Sequence, residues 1–147
     1  MDEAKRLRIE YKLLHEDAKL PTRANTHDAA SDLYSIEELD IGPGETASIH
    51  TGLAFATPPG YYSTINGRSS LSKHGLIPFR GIIDAGYVGE LIVTMTNTGK
   101  STYSIHKGDR IAQLIIHKVL EYEPAAVAEF SDEYKTRGTN GFGSSGR

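Results

Sequence analysis

The chain has 147 residues, about 38% hydrophobic and 24% charged, which is enough for one domain with a buried core. A net charge of -3 with scattered Lys and Arg excludes a basic groove for DNA or RNA. With no cysteine, six singly spaced histidines, no apolar run near the roughly 18 to 20 residues that span a bilayer, and a charged N-terminus, the sequence excludes disulfides, thiolate zinc and a histidine metal pair. It points to a soluble, intracellular, cytoplasmic protein with no targeting signal and no membrane partner.

Leu7, Ile9, Tyr11 and Leu13 alternate with polar residues and predict a first strand. The same pattern predicts strands over 49–57, 61–65, 91–96 and 111–119. Gly42-Pro43-Gly44, Pro58-Pro59-Gly60, Asn97-Thr98-Gly99 and Lys107-Gly108-Asp109 mark turns between them, at intervals typical of sandwiches and barrels. One short helix fits residues 69–74, and helical periodicity is weak elsewhere, so the fold class is all-β. After Tyr122 the composition turns to Pro124, a small acidic stretch, then Arg, Gly, Thr, Asn and Ser. Residues 1–122 thus read as the folded domain and 123–147 as a flexible C-terminal arm. At ~3.3 Å per residue, such an arm reaches tens of ångströms and can cross to another subunit.

The arm contains GFGSSG, which fits the G-x-G-x-x-G pattern of phosphate loops. A dinucleotide site needs a strand before that pattern and a helix after it, and a Walker loop needs Gly-Lys-Ser/Thr. Neither context exists here. Composition leaves two readings open: a glycine-serine linker, or a mobile lid. In the second, Gly143 lets backbone amides approach anionic oxygens, Ser144 and Ser145 add hydroxyl donors, Arg137 clamps a phosphate and Phe142 offers a face to a base.

Five segments in order carry a resemblance that covers more than a hundred residues. They are Ala30-Ser31-Asp32-Leu33-Tyr34-Ser35, Gly67-Arg68-Ser69-Ser70-Leu71, Gly81-Ile82-Ile83-Asp84-Ala85-Gly86-Tyr87-Val88-Gly89-Glu90, Gly108-Asp109-Arg110-Ile111-Ala112-Gln113-Leu114, and residues 137–146. In sequence and spacing they resemble the motifs of the trimeric dUTPase family, deoxyuridine triphosphate nucleotidohydrolases. The resemblance implies a jelly-roll-like β-sandwich, a homotrimer, and an arm that closes over an active site of a neighbouring subunit. It also implies hydrolysis of dUTP to dUMP and pyrophosphate, which limits uracil in DNA and supplies dUMP for thymidylate synthesis. Ser70, Ser72, Asn140 and Ser145 depart from the residues common in the family.

By that resemblance Asp84 is the general base for a water attacking the α-phosphorus; as a bare residue, Asp before Ala-Gly is also a turn former. Arg68, Ser69, Ser70 and Gln113 are implied as phosphate contacts, although each alone suits ordinary surface hydrogen bonding. The main chain of the third segment, Gly81 and Ile83 included, is implied to read uracil against cytosine, with Tyr87 under the deoxyribose. Phe142 is implied to stack over the base, while Arg137, Gly143, Ser144 and Ser145 hold the γ-phosphate. The implied cofactor is Mg2+, a hard cation suited to a triphosphate, with Asp32 near it through water or bracing the site. Asp32 also suits a turn cap. Two other readings remain: a dCTP deaminase-like enzyme, which resembles this chain in G-R-S-S but has a glutamate where Thr94 stands, and a non-catalytic nucleotide-binding jelly-roll trimer.

Overall fold

A computed structural model describes residues 6–139 and 141. Its strands are β1 (Glu10–Leu13), β2 (Ser31–Tyr34), β3 (Leu39–Ile41), β4 (Thr46–Ala56) and β5 (Tyr61–Asn66), then, after the one-turn helix α1 (Ser69–Ser72), β6 (Leu76–Pro78), β7 (Ile82–Ile83), β8 (Glu90–Asn97), β9 (Tyr103–Ile105) and β10 (Arg110–Lys118). The strands form two four-stranded antiparallel sheets, in the orders β1-β4-β8-β6 and β2-β10-β5-β7, with β3 and β9 as a separate pair. This is the all-β, jelly-roll-like architecture expected, with one short helix. Among the described residues no helix is long and apolar enough to cross a membrane.

The long strands form where the sequence alternates. Along β8, Leu91, Val93, Met95 and Asn97 are buried, while Ile92, Thr94 and Thr96 lie on the other face. Ile49, Leu53 and Phe55 of β4 and Ile111, Ala112 and Leu114 of β10 complete the same core with Leu33, Ile41, Leu71, Leu76 and Ile105. Fully burying each of the larger aliphatic side chains contributes about 1.5–3 kcal/mol. The one polar side chain among the largest fully buried groups, Asn97, is satisfied: its amide donates to the carbonyls of Ile41 and Ser101, both at 2.8 Å, and its oxygen accepts from the Gly99 amide at 2.9 Å. At the outer strand, Tyr11 stacks on Phe55 at 5.8 Å, and burial pushes its phenol up to about 12.

Two departures from the expected elements have local causes. The helix predicted over 69–74 is regular only over Ser69–Ser72 and unwinds through turn hydrogen bonds at His74 and Gly75. The β4–β8 register, regular from Thr46 to His50, shifts before resuming at Ala54. Gly52 sits in that bulge with φ +68°, and a Cβ there meets the Cβ atoms of His15 and Ala18 at 3.0 and 3.1 Å. Glycine is required by both angle and space.

After β10 no strand follows among the described residues. Residues 119–139 are exposed throughout and contain only a 3-10 turn at Asp132–Tyr134.

Candidate active site

The third motif builds a pocket. Its two-residue strand β7 pairs with β5 through Ser63↔Ile83 and Thr64↔Ile82, and the Ile65 amide donates to the Gly81 carbonyl at 3.2 Å. Because β7 is the edge of its sheet, alternate main-chain groups on its open side have no ladder partner. The chain then reverses: the Tyr87 amide donates to the Asp84 carbonyl at 3.3 Å, with Gly86 at φ +91° in the third position of the turn. Asp84 is therefore a turn residue, as its neighbours suggest, and the same turn leaves its carboxylate exposed at the pocket. Gly81, Ile82, Ile83, Asp84 and Tyr87 face Ile65, Glu90, Leu91 and Ile92 around a volume of about 330 Å3, at the small end of the ~300–1,000 Å3 range of ligand pockets.

A second, polar hollow of about 190 Å3 lies along Arg68, Ser70, Leu71, Tyr103, Ile105, Asp109 and Arg110. It shares no lining residue with the first. Asp32 on β2 organises its charges. The register places Asp32 opposite Gln113 of β10, and Gln113 opposite Asn66 of β5, so these polar groups lie in one row across three strands. Asp32 is buried, with Oδ1 3.2 Å from Arg68 Nε and Oδ2 3.7 Å from Arg110 Nη1. The Oδ1 contact is an ion pair without hydrogen-bond alignment, since that buried oxygen accepts no hydrogen bond. Arg68 also donates from Nη1 to the Arg110 carbonyl at 3.2 Å. One carboxylate thus holds two guanidinium groups. Ser69 and Ser70 stand exposed at the start of α1, ahead of the first helical bond, which the Leu71 amide makes to the Arg68 carbonyl. Their amides are the ones a helix leaves without an internal partner.

The expected residues therefore fall into two groups. Gly81, Ile83, Asp84 and Tyr87 gather at the apolar pocket, while Arg68 and Ser70 line the charged hollow, with Asp32 ion-paired to Arg68 and Gln113 opposite Asp32. Gln113 is half-buried in the row with Asn66 and Asp32, so it does not merely point to solvent. Arg137 is exposed. Phe142, Gly143, Ser144 and Ser145 lie outside the described residues.

The residues alone gave no role to Arg110, Glu90 or His50. Glu90 lines the apolar pocket, and its main-chain carbonyl accepts from the Tyr87 hydroxyl at 2.9 Å. Its carboxylate accepts from the Gly52 amide and from His50 Nδ1, both at 2.9 Å. Glu90 belongs to the third segment and Arg110 to the fourth, so a signal existed for both; nothing local marks His50.

As to a cation, no three metal-ligating side chains converge among the described residues. Asp32 is enclosed by Arg68 and Arg110, which fits a bracing role better than contact with a hydrated ion. The exposed carboxylate of Asp84 suits a contact through water to an ion held by phosphate oxygens.

Comparison with known proteins identifies the family. The dUTPase family profile matches residues 16–146. The deoxyuridine 5'-triphosphate nucleotidohydrolase of Solibacter usitatus is 42% identical, over 97% of this chain and 98% of its own length. That of Thermobifida fusca is also 42% identical, over 95% of this chain and 79% of its own. Among solved structures, the Staphylococcus bacteriophage 80alpha dUTPase with dUpNHpp superposes with a TM-score of 0.87 and 33% identity, covering 95% of this chain and 99% of that one. A mutant dUTPase from phage phi11 of S. aureus, described with a structural Mg(II) ion, superposes with a TM-score of 0.78 and 30% identity over 84% of this chain and 99% of its own. A family match across nearly nine-tenths of the chain, with a fold to match, is decisive: this chain belongs to the dUTPase family.

Proposed function

We propose that the protein hydrolyses dUTP to dUMP and pyrophosphate, a dUTP diphosphatase reaction that keeps uracil out of DNA and supplies dUMP for thymidylate synthesis. One observation carries the reading most: the third-motif turn sets the Asp84 carboxylate at the mouth of an apolar pocket bounded by an open strand edge. That combination suits a flat, polar-edged base beside a group able to take a proton. The relatives' names and the dUpNHpp bound to the 80alpha phage enzyme support the choice of nucleotide.

In this reading the base lies against Ile65, Ile83 and Leu91, and main-chain donors and acceptors of residues 81–87 pair with uracil's O4, N3-H and O2. Cytosine reverses two of those partners, leaving desolvated polar groups unpaired, so it is rejected strongly. Tyr87 packs under the sugar and leaves no room for a 2'-hydroxyl. Arg68, Ser69, Ser70 and Gln113 hold the phosphates, with Arg68 pre-oriented by Asp32. Asp84 accepts a proton from a water as its oxygen bonds to the α-phosphorus and the bond to the β-phosphate bridging oxygen breaks, releasing pyrophosphate. Magnesium, when bound, neutralises charge on the triphosphate; the Mg(II) of the phi11 phage relative is in keeping with that cofactor.

The body comprises residues 1–122, and the arm, 123–147, closes the site with Arg137 and Gly143, Ser144 and Ser145 on the γ-phosphate and Phe142 over the base. The two hollows of one chain share no lining residue, and the stretch 119–139 is exposed throughout, which supports a homotrimer whose copies complete one another's sites. The deaminase alternative loses its acid: Thr94 shares a 3.0 Å hydrogen bond with Ser48 and does not line the pocket.

A pyrophosphate-release assay with dUTP, dCTP, dTTP and UTP tests the reaction and the choice of base and sugar. dUTP is expected to be hydrolysed at least about a hundredfold faster, in kcat/KM, than each of the others. Equal rates with dCTP would remove the strand edge from base recognition, and equal rates with UTP would remove Tyr87 from sugar recognition.

A further inference from the structure

The β4 bulge that displaces the ladder between His50 and Ala54 has a partner with no place in the mechanism above. The Gly52 amide, taken out of the ladder by the bulge, donates to Glu90 Oε1 at 2.9 Å. His50 Nδ1 meets Glu90 Oε2 at 2.9 Å. Glu90 is thus gripped at both carboxylate oxygens by β4, and it opens β8 directly beneath the pocket. Its main-chain carbonyl in turn accepts from the Tyr87 hydroxyl. Glu90 thus links the bulge, which bonds to its carboxylate, with Tyr87, which bonds to its main-chain carbonyl and lines the pocket.

We infer that His50 and Glu90 act as a positioning pair for Tyr87, making the grip on the nucleoside depend on the protonation of His50. This rests on the reading of the pocket as a nucleoside site. Glu90 orients the Tyr87 ring through its own backbone, and His50 steadies Glu90 through its side chain; neither touches the reacting atoms.

The charged groups facing His50 are Glu90 from β8 and Glu37 from the β2–β3 connection, whose carboxylate accepts the His50 amide at 3.0 Å. The hydrogen bond from Glu90 raises the imidazole above its ordinary range; burial opposes this, and the negative charges of Glu90 and Glu37 add to it. With a raised value in the folded state, the charged brace is complete below the ordinary histidine range and is lost as pH rises through the raised one. Neutral imidazole can still donate from Nδ1, so a charge-assisted bond weakens to an ordinary one without disappearing. The effect on binding is therefore several-fold.

The test combines kinetics with a probe of Tyr87 itself. In wild-type enzyme, KM for dUTP is expected to rise about threefold to tenfold between pH about 6 and 8.5, with no inflection in kcat at the same point. His50→Asn, which keeps a donor near the Nδ1 position but does not titrate, is expected to have a KM without that inflection. His50→Ala is expected to start with the raised KM at low pH. By NMR, the Tyr87 ring resonances are expected to follow the titration of His50 in wild type and to be pH-independent in His50→Asn over the same range. A His50→Ala enzyme that melts lower but keeps the wild-type KM profile overturns the inference, leaving the pair purely structural. So does a Tyr87 ring unresponsive to His50, whatever the turnover. Absence of dUTP hydrolysis in every variant, with Tyr87 still following His50, counts against the dUTPase reading and not against the coupling.

Discussion

The pocket around Asp84 is lined by five aliphatic side chains and the main chain of an edge strand, whereas the second hollow is lined in part by two arginines that pair with one buried aspartate. In the proposed reading, selectivity in the first resides in shape and in backbone groups that most side-chain substitutions leave in place. In the second, the same reading puts affinity in side-chain charges that Asp32 already holds in place, so little reorganisation is needed on binding. The difference teaches where mutation within the body can separate the two: side-chain changes in the polar hollow are expected to act on affinity and stability, and changes at the rim of the apolar pocket on chemistry or substrate choice.

The largest break in that division is expected at Asp84, which lines the apolar pocket and is the proposed general base. Asp84→Asn keeps the turn, because its carbonyl still accepts from the Tyr87 amide, and keeps the pocket walls. Removing a general base costs about 1,000-fold in kcat. Calorimetric affinity for a non-hydrolysable dUTP analogue is expected to stay within about threefold of wild type, a difference below ~0.7 kcal/mol. Undiminished turnover would take the proton-accepting role from Asp84.

Deleting residues 137–147 asks whether either region is sufficient without the arm. Loss of the proposed γ-phosphate clamp and of the water exclusion proposed with it is expected to lower kcat/KM on the order of 100-fold. The melting temperature is expected to hold, because β1–β10 and the whole buried core precede the cut. A truncated enzyme at full activity would show that the two hollows are enough.

Next comes the anchor of the charged hollow. Asp32→Ala leaves Arg68, whose side chain is only 19% exposed, and the half-exposed Arg110 without their counter-charge. Breaking a buried pair costs roughly 3–5 kcal/mol, and the partial exposure of Arg110 brings the expected loss to about 2–3 kcal/mol. Thermal or urea unfolding measures it directly. The kcat/KM for dUTP is expected to fall about tenfold through loss of Arg68 orientation, while the preference for dUTP over dCTP stays unchanged because base recognition lies in the other pocket. A shifted preference would mean that the two regions are not independent.

The same contrast explains what was legible in the sequence. β4, β5, β8 and β10 run long enough for alternation to show, and each was expected to within a few residues. β2, β3, β6, β7 and β9 are two to four residues long, too short to display a period; β2, β6 and β7 pair with longer neighbours, and β3 and β9 pair with each other. Asp84, Arg68, Ser70 and Tyr87 were legible because motifs quote side chains. That Asp32 would hold Arg110 as well as Arg68 was not, since the bridge depends on the β2–β10 register, which shifts between Arg110 and Ala112. His50 was invisible for the same reason: its partner lies 40 residues away, across a bulge.

The smallest expected effect is the sharpest test of backbone-led recognition. Tyr87→Phe retains the ring proposed to pack under the sugar and removes only the hydroxyl that donates to the Glu90 carbonyl at 2.9 Å. If the ring alone excluded ribose, discrimination between dUTP and UTP would not change. Tyr87 is 47% exposed, so its packing contacts leave it freedom to tilt, and the hydrogen bond supplies the missing constraint. An exposed neutral hydrogen bond contributes about 0.5–1.5 kcal/mol. The ratio of kcat/KM for dUTP over UTP is accordingly expected to fall about threefold to tenfold, chiefly because the freed ring makes room for the 2'-hydroxyl and UTP improves. Turnover of saturating dUTP stays near wild type, since Asp84 and its turn are untouched. A ratio unchanged within error would place sugar selectivity in the rigid walls Ile65 and Leu91, and the pocket would then need no tether at its floor.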